Sequence, residues 1–250
     1  MNNSIINCKC EEPDSSIETW KYFRNIYTED HWELIKEFDL KNICPYEQRN
    51  NKPDKNMLRY RAYLKVDSIY TKKLGKQFSL AGDCDFNFNN KKRSKFEKIL
   101  KKEISIKELK KEFEKLNQCC LMHYNKLNFS IMPVTGGMNN FKGIVKVEGD
   151  SYDRLDTFIY YLNEFYINGD KRVLNKSRYN EKSLNQYLNT FDNIYDYCNK
   201  VYFINNREFV NKLINNGCKT IKNSEELMLY MNLAQEYWEI KKSNINSKFI

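Results

Sequence analysis

Leu155-Asp-Thr-Phe-Ile-Tyr-Tyr-Leu-Asn-Glu-Phe-Tyr166 is the stretch on which the fold turns. Its apolar residues Leu155, Phe158, Ile159, Leu162, Phe165 and Tyr166 recur at the spacing of one face of an α-helix. A longer run of the same period follows through Leu184, Tyr187, Leu188, Phe191, Ile194, Tyr195, Cys198 and Tyr202. Phe209, Leu213 and Ile214 then lead to Gly217, a residue suited to end a helix. Asn223 and Glu226 make a capping pair before Leu227, Met231, Ala234 and Trp238. Four helices in succession predict a mainly α fold, a helical bundle carrying a small extended or β element at about 76–90 and 127–147.

Upstream of this core, residues 91–115 hold 11 Lys+Arg and 5 Glu, a net of +6 out of +9 for the whole chain. Ser105 and Glu108 have capping-box spacing, and Ile106, Leu109, Phe113, Leu116 and Cys120 repeat behind them as a narrow apolar seam. An amphipathic helix with a basic outer face is expected. Phe86 and Phe88 alternate with polar neighbours in 76–90, and Leu127–Val134 reads as a short buried strand. Residues 41–55, with Pro45 and Pro53, read as a loop, and Asp54 as the cap of a helix carried by Leu58, Ala62, Val66 and Ile69. Shorter helices are expected at Ile17, Trp20, Phe23 and Tyr27 and at Trp32, Ile35 and Phe38. The chain reads as a single globular domain over 1–250: an N-terminal part, 1–90, and a helical core, 91–250, with a Gly-rich loop at 135–143.

Composition bounds the rest. With 8 Gly and 4 Pro in 250 residues, the chain is neither collagen-like nor low-complexity, and 15 Phe, 18 Tyr and 3 Trp call for a large-volume core. No window approaches the roughly 18 apolar residues of a membrane helix. The first residues lack the basic and apolar segments of a signal peptide, so a soluble, cytoplasmic protein with no membrane partner is expected. The 8 Cys then read as free thiols. Counts of 3 Ala and 33 Asn point to AT-rich coding, which by itself raises Lys.

The run Met132-Pro133-Val-Thr-Gly136-Gly137-Met-Asn139-Asn-Phe-Lys142-Gly143, followed by Asp153-Arg154-Leu-Asp156-Thr-Phe158, resembles a bacterial domain family of unknown function. That pattern places Gly-Gly and Pro near Asn-x-x-(basic)-Gly, then an Asp-Arg-x-Asp helix start and an aromatic-rich helix, like Phe191 to Phe203 here. The resemblance spans about 120–215, and it departs in order, since Pro133 precedes the Gly-Gly. It implies a bacterial or phage-encoded protein and singles out the loop, and it implies no activity.

Several groups of residues could carry chemistry. Asp153 and Asp156 share one side of a helix start and could hold Mg²⁺, with Arg154 on a substrate phosphate; alternatively they complement the helix dipole and Arg154 pairs locally. The loop residues Gly136, Gly137, Asn139, Lys142 and Gly143 could cradle a phosphate or simply make a tight turn. Asp83 and Asp85 form an Asp-x-Asp pair, either a cation site or a solvated turn. Cys119, Cys120 and His123 with Cys8 and Cys10 could make a zinc site, but the usual Cys-x₂-Cys pairs are absent, so the cysteines read as core residues and His123 as a helix-end residue. Lys91, Lys92, Arg93, Lys95, Lys101 and Lys102 could track a phosphate backbone, with Phe96 or Tyr124 for stacking; the interleaved Glu would otherwise pair with them.

The function expected is that of a basic nucleic-acid-acting protein, an RNA-directed effector in bacterial phage defence, with Mg²⁺ as cofactor if it cleaves. One alternative is a non-enzymatic inhibitor or sensor that binds a protein partner in phage–host conflict. Another is a nucleotide-binding enzyme using the Gly-rich loop. Whether the chain is an enzyme is left open by its residues.

Overall fold

A computed structural model describes residues 79–134, 154–170, 187–217 and 219–247, with 22–23, 26–27, 44–46, 59–61 and 185. The described residues are mainly helical: α1 (Asn90–Glu103), α2 (Ile106–His123), α3 (Leu155–Asn168), α4 (Ile194–Tyr202), α5 (Arg207–Asn216) and α6 (Ser224–Ser247). Strands β1 (Cys44–Tyr46) and β2 (Arg59–Arg61) pair antiparallel, as do β3 (Ser79–Cys84) and β4 (Phe129–Val134). The bundle with a small β element is therefore the architecture, and β3 and β4 fall inside the two segments read as extended.

The chain leaves β3, runs out along α1, returns along α2 and re-enters the ladder as β4, with Cys84 opposite Phe129 and Ser79 opposite Val134. The helical hairpin thus stands on the strand pair. Asn128, fully buried, clamps its base. Its Oδ1 accepts from Phe86 N at 2.9 Å and from Trp238 Nε1 at 3.0 Å. Its Nδ2 donates to Phe86 O at 2.8 Å and His123 O at 3.2 Å. One side chain so satisfies backbone groups of both hairpin ends and ties them to α6. Around it Phe86 and Phe88 pack on Tyr230 at 5.4 and 5.1 Å, and Phe88 meets Phe96 of α1 at 5.9 Å.

Helix α6 carries the core stripe Leu227, Tyr230, Met231, Ala234, Tyr237, Trp238, Lys241 and Ile245, all buried. The capping pair forms as expected: Glu226 N donates to Asn223 Oδ1 at 2.9 Å, and Asn223 N to Glu226 Oε2 at 3.3 Å. Helix α3 follows its predicted period, and α5 ends at Gly217. There a Cβ would sit 2.3 Å from Tyr160 Cβ, so glycine lets α5 close on α3.

Four expectations change. The basic run is two helices rather than one, broken at Ile104 and Ser105. Ile106, predicted in the seam, is 92% exposed, because packing of α2 begins at half-buried Leu109 and is complete only at Leu116, Cys119 and His123. The long period from Leu184 is interrupted at 189–193, where the Asn193 side chain accepts from Tyr195 N and Asp196 N and starts a new helix. Finally, strand β1 lies inside the predicted loop 41–55, and β2 lies where a helix through Leu58 and Ala62 was expected. Among the described residues each strand of this ladder has one edge unpaired, which suits Pro45 without its N–H. Of the expected early helices, only Tyr22, Phe23, Ile26 and Tyr27 are described, the last three buried.

Candidate nucleic-acid interface

The hairpin α1–α2 presents two unlike surfaces. On α1 the i, i+4, i+8 row Lys92, Phe96 and Leu100 is buried. Lys91, Lys95, Lys98 and Lys102, at i, i+4, i+7 and i+11, lie off that row along about 16 Å of the helix. Lys91, Lys98 and Lys102 are exposed and Lys95 is half-buried. At the tip, exposed Lys101 and Lys102 close α1, and exposed Lys107, Lys110 and Lys111 lie in the first two turns of α2. Lys98, Lys107, Lys110 and Lys111 extend the residue set expected from sequence, and the spacing of Lys98 along α1 was its available signal.

Lys92 leaves that set, because its place on the Phe96 face turns it inward, to 2% exposure. It lines a cavity of about 10 Å³ with Asn87, Lys95, Phe96, Arg154, Ile221 and Tyr230. Arg93 is also committed within the fold, donating to Glu97 at 2.9 Å and Asn117 at 2.7 Å.

The interleaved Glu do not neutralise the outer lysines. Among the described residues the ion pairs are Arg93–Glu97, Arg154–Asp156, Lys200–Asp196, Lys212–Glu236 and Lys241–Asp85. None includes Lys91, Lys98, Lys101, Lys102, Lys107, Lys110 or Lys111. Glu103 instead accepts from Ser224 N at 2.7 Å, and Glu108 from Ser105 Oγ at 2.9 Å. These lysines therefore face outward without an ion-pair partner among the described residues, on a segment whose net charge stays positive.

The aromatic rings of the hairpin are occupied. Phe96 is buried. Phe113 is half-buried beneath Lys101 Nζ, at 5.8 Å. Tyr124 meets His123 edge-on at 4.6 Å.

Arg154 and Asp156 come together, but inside the protein, at 2% and 0% exposure. Asp156 Oδ1 accepts from Arg154 Nε and Thr157 N, both at 2.9 Å. Oδ2 accepts from Arg154 Nη2 and from Asn216 Nδ2, the latter at 2.7 Å. Four donors occupy the lone-pair directions of one carboxylate, which leaves no direction for a cation. Arg154 also donates to Lys219 O and lies 4.9 Å from the Tyr230 ring centre. This geometry favours the local-pairing reading, with the pair tying α3 to α5 and the segment before α6. Asp153 and the loop residues Gly136, Gly137, Asn139, Lys142 and Gly143 lie outside the described residues, as do Cys8 and Cys10.

The Asp-x-Asp pair is not a solvated turn. Asp85, 1% exposed, has Oδ2 accepting from Tyr237 OH at 2.6 Å, Ser130 Oγ at 2.9 Å and Lys241 Nζ at 3.0 Å. Lys241 Nζ also donates to Ser130 Oγ and Phe129 O, both at 2.8 Å. Serine, lysine and aspartate side by side resemble nucleophile machinery, yet all three are enclosed in the core. His123 is likewise buried, its Nδ1 3.5 Å from Phe88 N and 3.4 Å from Phe86 O, and Cys119 is fully buried. Burial pushes the thiols of Cys119 and Cys120 up from 9.0, to about 12 and about 11.

A surface cleft of about 300 Å³ lies between α4 and α5, lined by Asp192, Asn193, Asp196, Asn199, Asn205 and Arg207 among others. Arg207 stacks over Tyr195 at 5.1 Å. With two carboxylates to one guanidinium, this cleft does not suit a phosphate. Among the described residues no group of three His, Cys, Asp or Glu converges as a metal site, and no helix is long and apolar enough to cross a membrane. No family model matches the chain, and neither a curated protein nor a solved structure matches it significantly.

Proposed function

We propose that this chain binds nucleic acid through the outer face of the α1–α2 hairpin. One observation carries the reading: seven exposed lysines, at 91, 98, 101, 102, 107, 110 and 111, share one hairpin, and among the described residues none has a carboxylate within ion-pair distance. A polyanion that neutralises them releases condensed counterions, a gain that needs no enclosed pocket. AT-rich coding explains surplus lysine over the whole chain, but not its row at 91, 95, 98 and 102. The reading stops at binding, since Asp156 is saturated by its own neighbours. An RNA-directed role in phage defence is one setting that such a surface would serve.

The test is fluorescence anisotropy with a labelled RNA stem-loop, which offers paired and unpaired segments together, at 50 and 200 mM salt. Binding should weaken steeply with salt. Lys98→Glu with Lys102→Glu should lower affinity at least tenfold while the melting temperature stays put. No binding at 50 mM salt, or full affinity in the double variant, overturns the proposal. The first result would favour the protein-partner reading.

A further inference from the structure

We infer that the hairpin recognises the backbone of a nucleic-acid duplex without reading its bases. This inference rests on the binding proposal above and names its ligand. Proteins that hold single strands combine a basic track with aromatic faces on which bases stack, each stack worth about 1–3 kcal/mol. Here the track is present and the rings are spoken for: Phe96 lies in the core against Phe88, Lys101 sits over Phe113, and Tyr124 is set against His123. Side chains that read base edges are chiefly Arg, Asn and Gln, with Lys able to reach guanine as a single point charge. On this hairpin Arg93 holds Glu97 and Asn117, so the Asn117 oxygen is engaged as well, and Gln118 accepts from Gln235 Nε2 at 3.4 Å. The cations that face outward are lysines, point charges suited to phosphate.

A surface that senses only charge prefers the denser polyanion. Duplex carries one charge per about 1.7 Å of axis, twice the density of either strand alone. The α1 stripe is straight because a helix carries it. At about 16 Å it can lie beside a few successive phosphates where one strand of the duplex passes it. A floppy single strand would first have to be straightened along it, at an entropic cost the surface does not repay by stacking.

The experiment measures affinity of the full chain for two 20-base-pair RNA duplexes of unrelated sequence and for each separated strand, at 50 and 200 mM salt. Both duplexes should bind within twofold of one another and each strand at least tenfold more weakly. Four phosphate contacts predict a loss of about 10²-fold across that salt range. Lys91→Glu with Lys98→Glu should erase the duplex preference. Single strands bound as tightly as duplex, or duplexes that differ tenfold, overturn the inference while leaving nucleic-acid binding in place. Absence of binding to every probe at 50 mM salt overturns both.

Discussion

Lys241 and Lys98 are the same residue type put to opposite purposes: one is sealed in the bundle, the other stands on the hairpin. Lys241 has its ammonium ringed by a carboxylate, a carbonyl and a hydroxyl, all within 3.0 Å. Lys98 is exposed and has no ion pair. Arg154 belongs with the first and Lys102 with the second. The difference teaches how to sort charge in a lysine-rich chain. A cation whose neighbours are complete is part of the structure, and a cation presented without neighbours is available to something else. Composition counts both alike.

The sharpest way to break the comparison is to remove the inner partners. Asp85→Ala or Lys241→Ala leaves a buried charge without its counter-ion and should cost about 3–5 kcal/mol in urea unfolding. Asp85→Leu combined with Lys241→Met should be markedly more stable than either single Ala variant, because an apolar pair of similar volume needs no counter-ion. Two independent, additive losses would mean that the pair is not coupled.

A second effect is set by pH. Burial raises the Cys119 and Cys120 thiols from 9.0 to about 12 and about 11, and raises buried Tyr27, Tyr197, Tyr202 and Tyr237 well above their usual range. These groups keep their protons in the folded protein after the unfolded chain begins to lose them. Their contribution is therefore complete below about pH 9 and is lost as pH rises toward 11–12. Thermal melts from pH 8 to 11 should show a falling melting temperature, with a shallower fall for Cys119→Ala. A flat profile would refute the sign.

The smallest effect lies on the other side of the comparison. Lys98→Ala and Lys107→Ala should each change stability by no more than about 0.5 kcal/mol, as exposed substitutions do. A loss of 2 kcal/mol from either would show that the outer lysines are structural after all.

How much of this was legible in the sequence follows from the same distinction. Helices α5 and α6 announce themselves because each has an apolar stripe and an end signal that agree, and α3 does so by its apolar period alone. The strand pair is legible through Phe86, Phe88 and Leu127–Val134. The interruption before α4 is not, because Tyr187, Leu188 and Phe191 are buried there as well and keep the apolar period running through a turn. At the candidate interface the basic character was plain, but its sorting was not. Lys92 and Lys95 are three residues apart on one helix and both line the small cavity beside Phe96, yet Lys92 is buried and Lys95 only half-buried, a difference set by packing that the spacing does not reveal. Asp156 looked like a metal ligand for a related reason: its saturating donors include Asn216, 60 residues away in sequence.

The bond between Asp85 and Lys241 has a further consequence, for the order of events during synthesis. Its partners are 156 residues apart, and the bond from Tyr27 to Val201 spans 174. At about 5–20 residues per second, a ribosome needs roughly 8–30 s to make the stretch between Asp85 and its lysine. Through that interval the aspartate cannot be enclosed without leaving an uncompensated charge. The bundle therefore closes only after α6 has been made, and the strand pair with its helical hairpin waits, unfinished, for that helix to arrive.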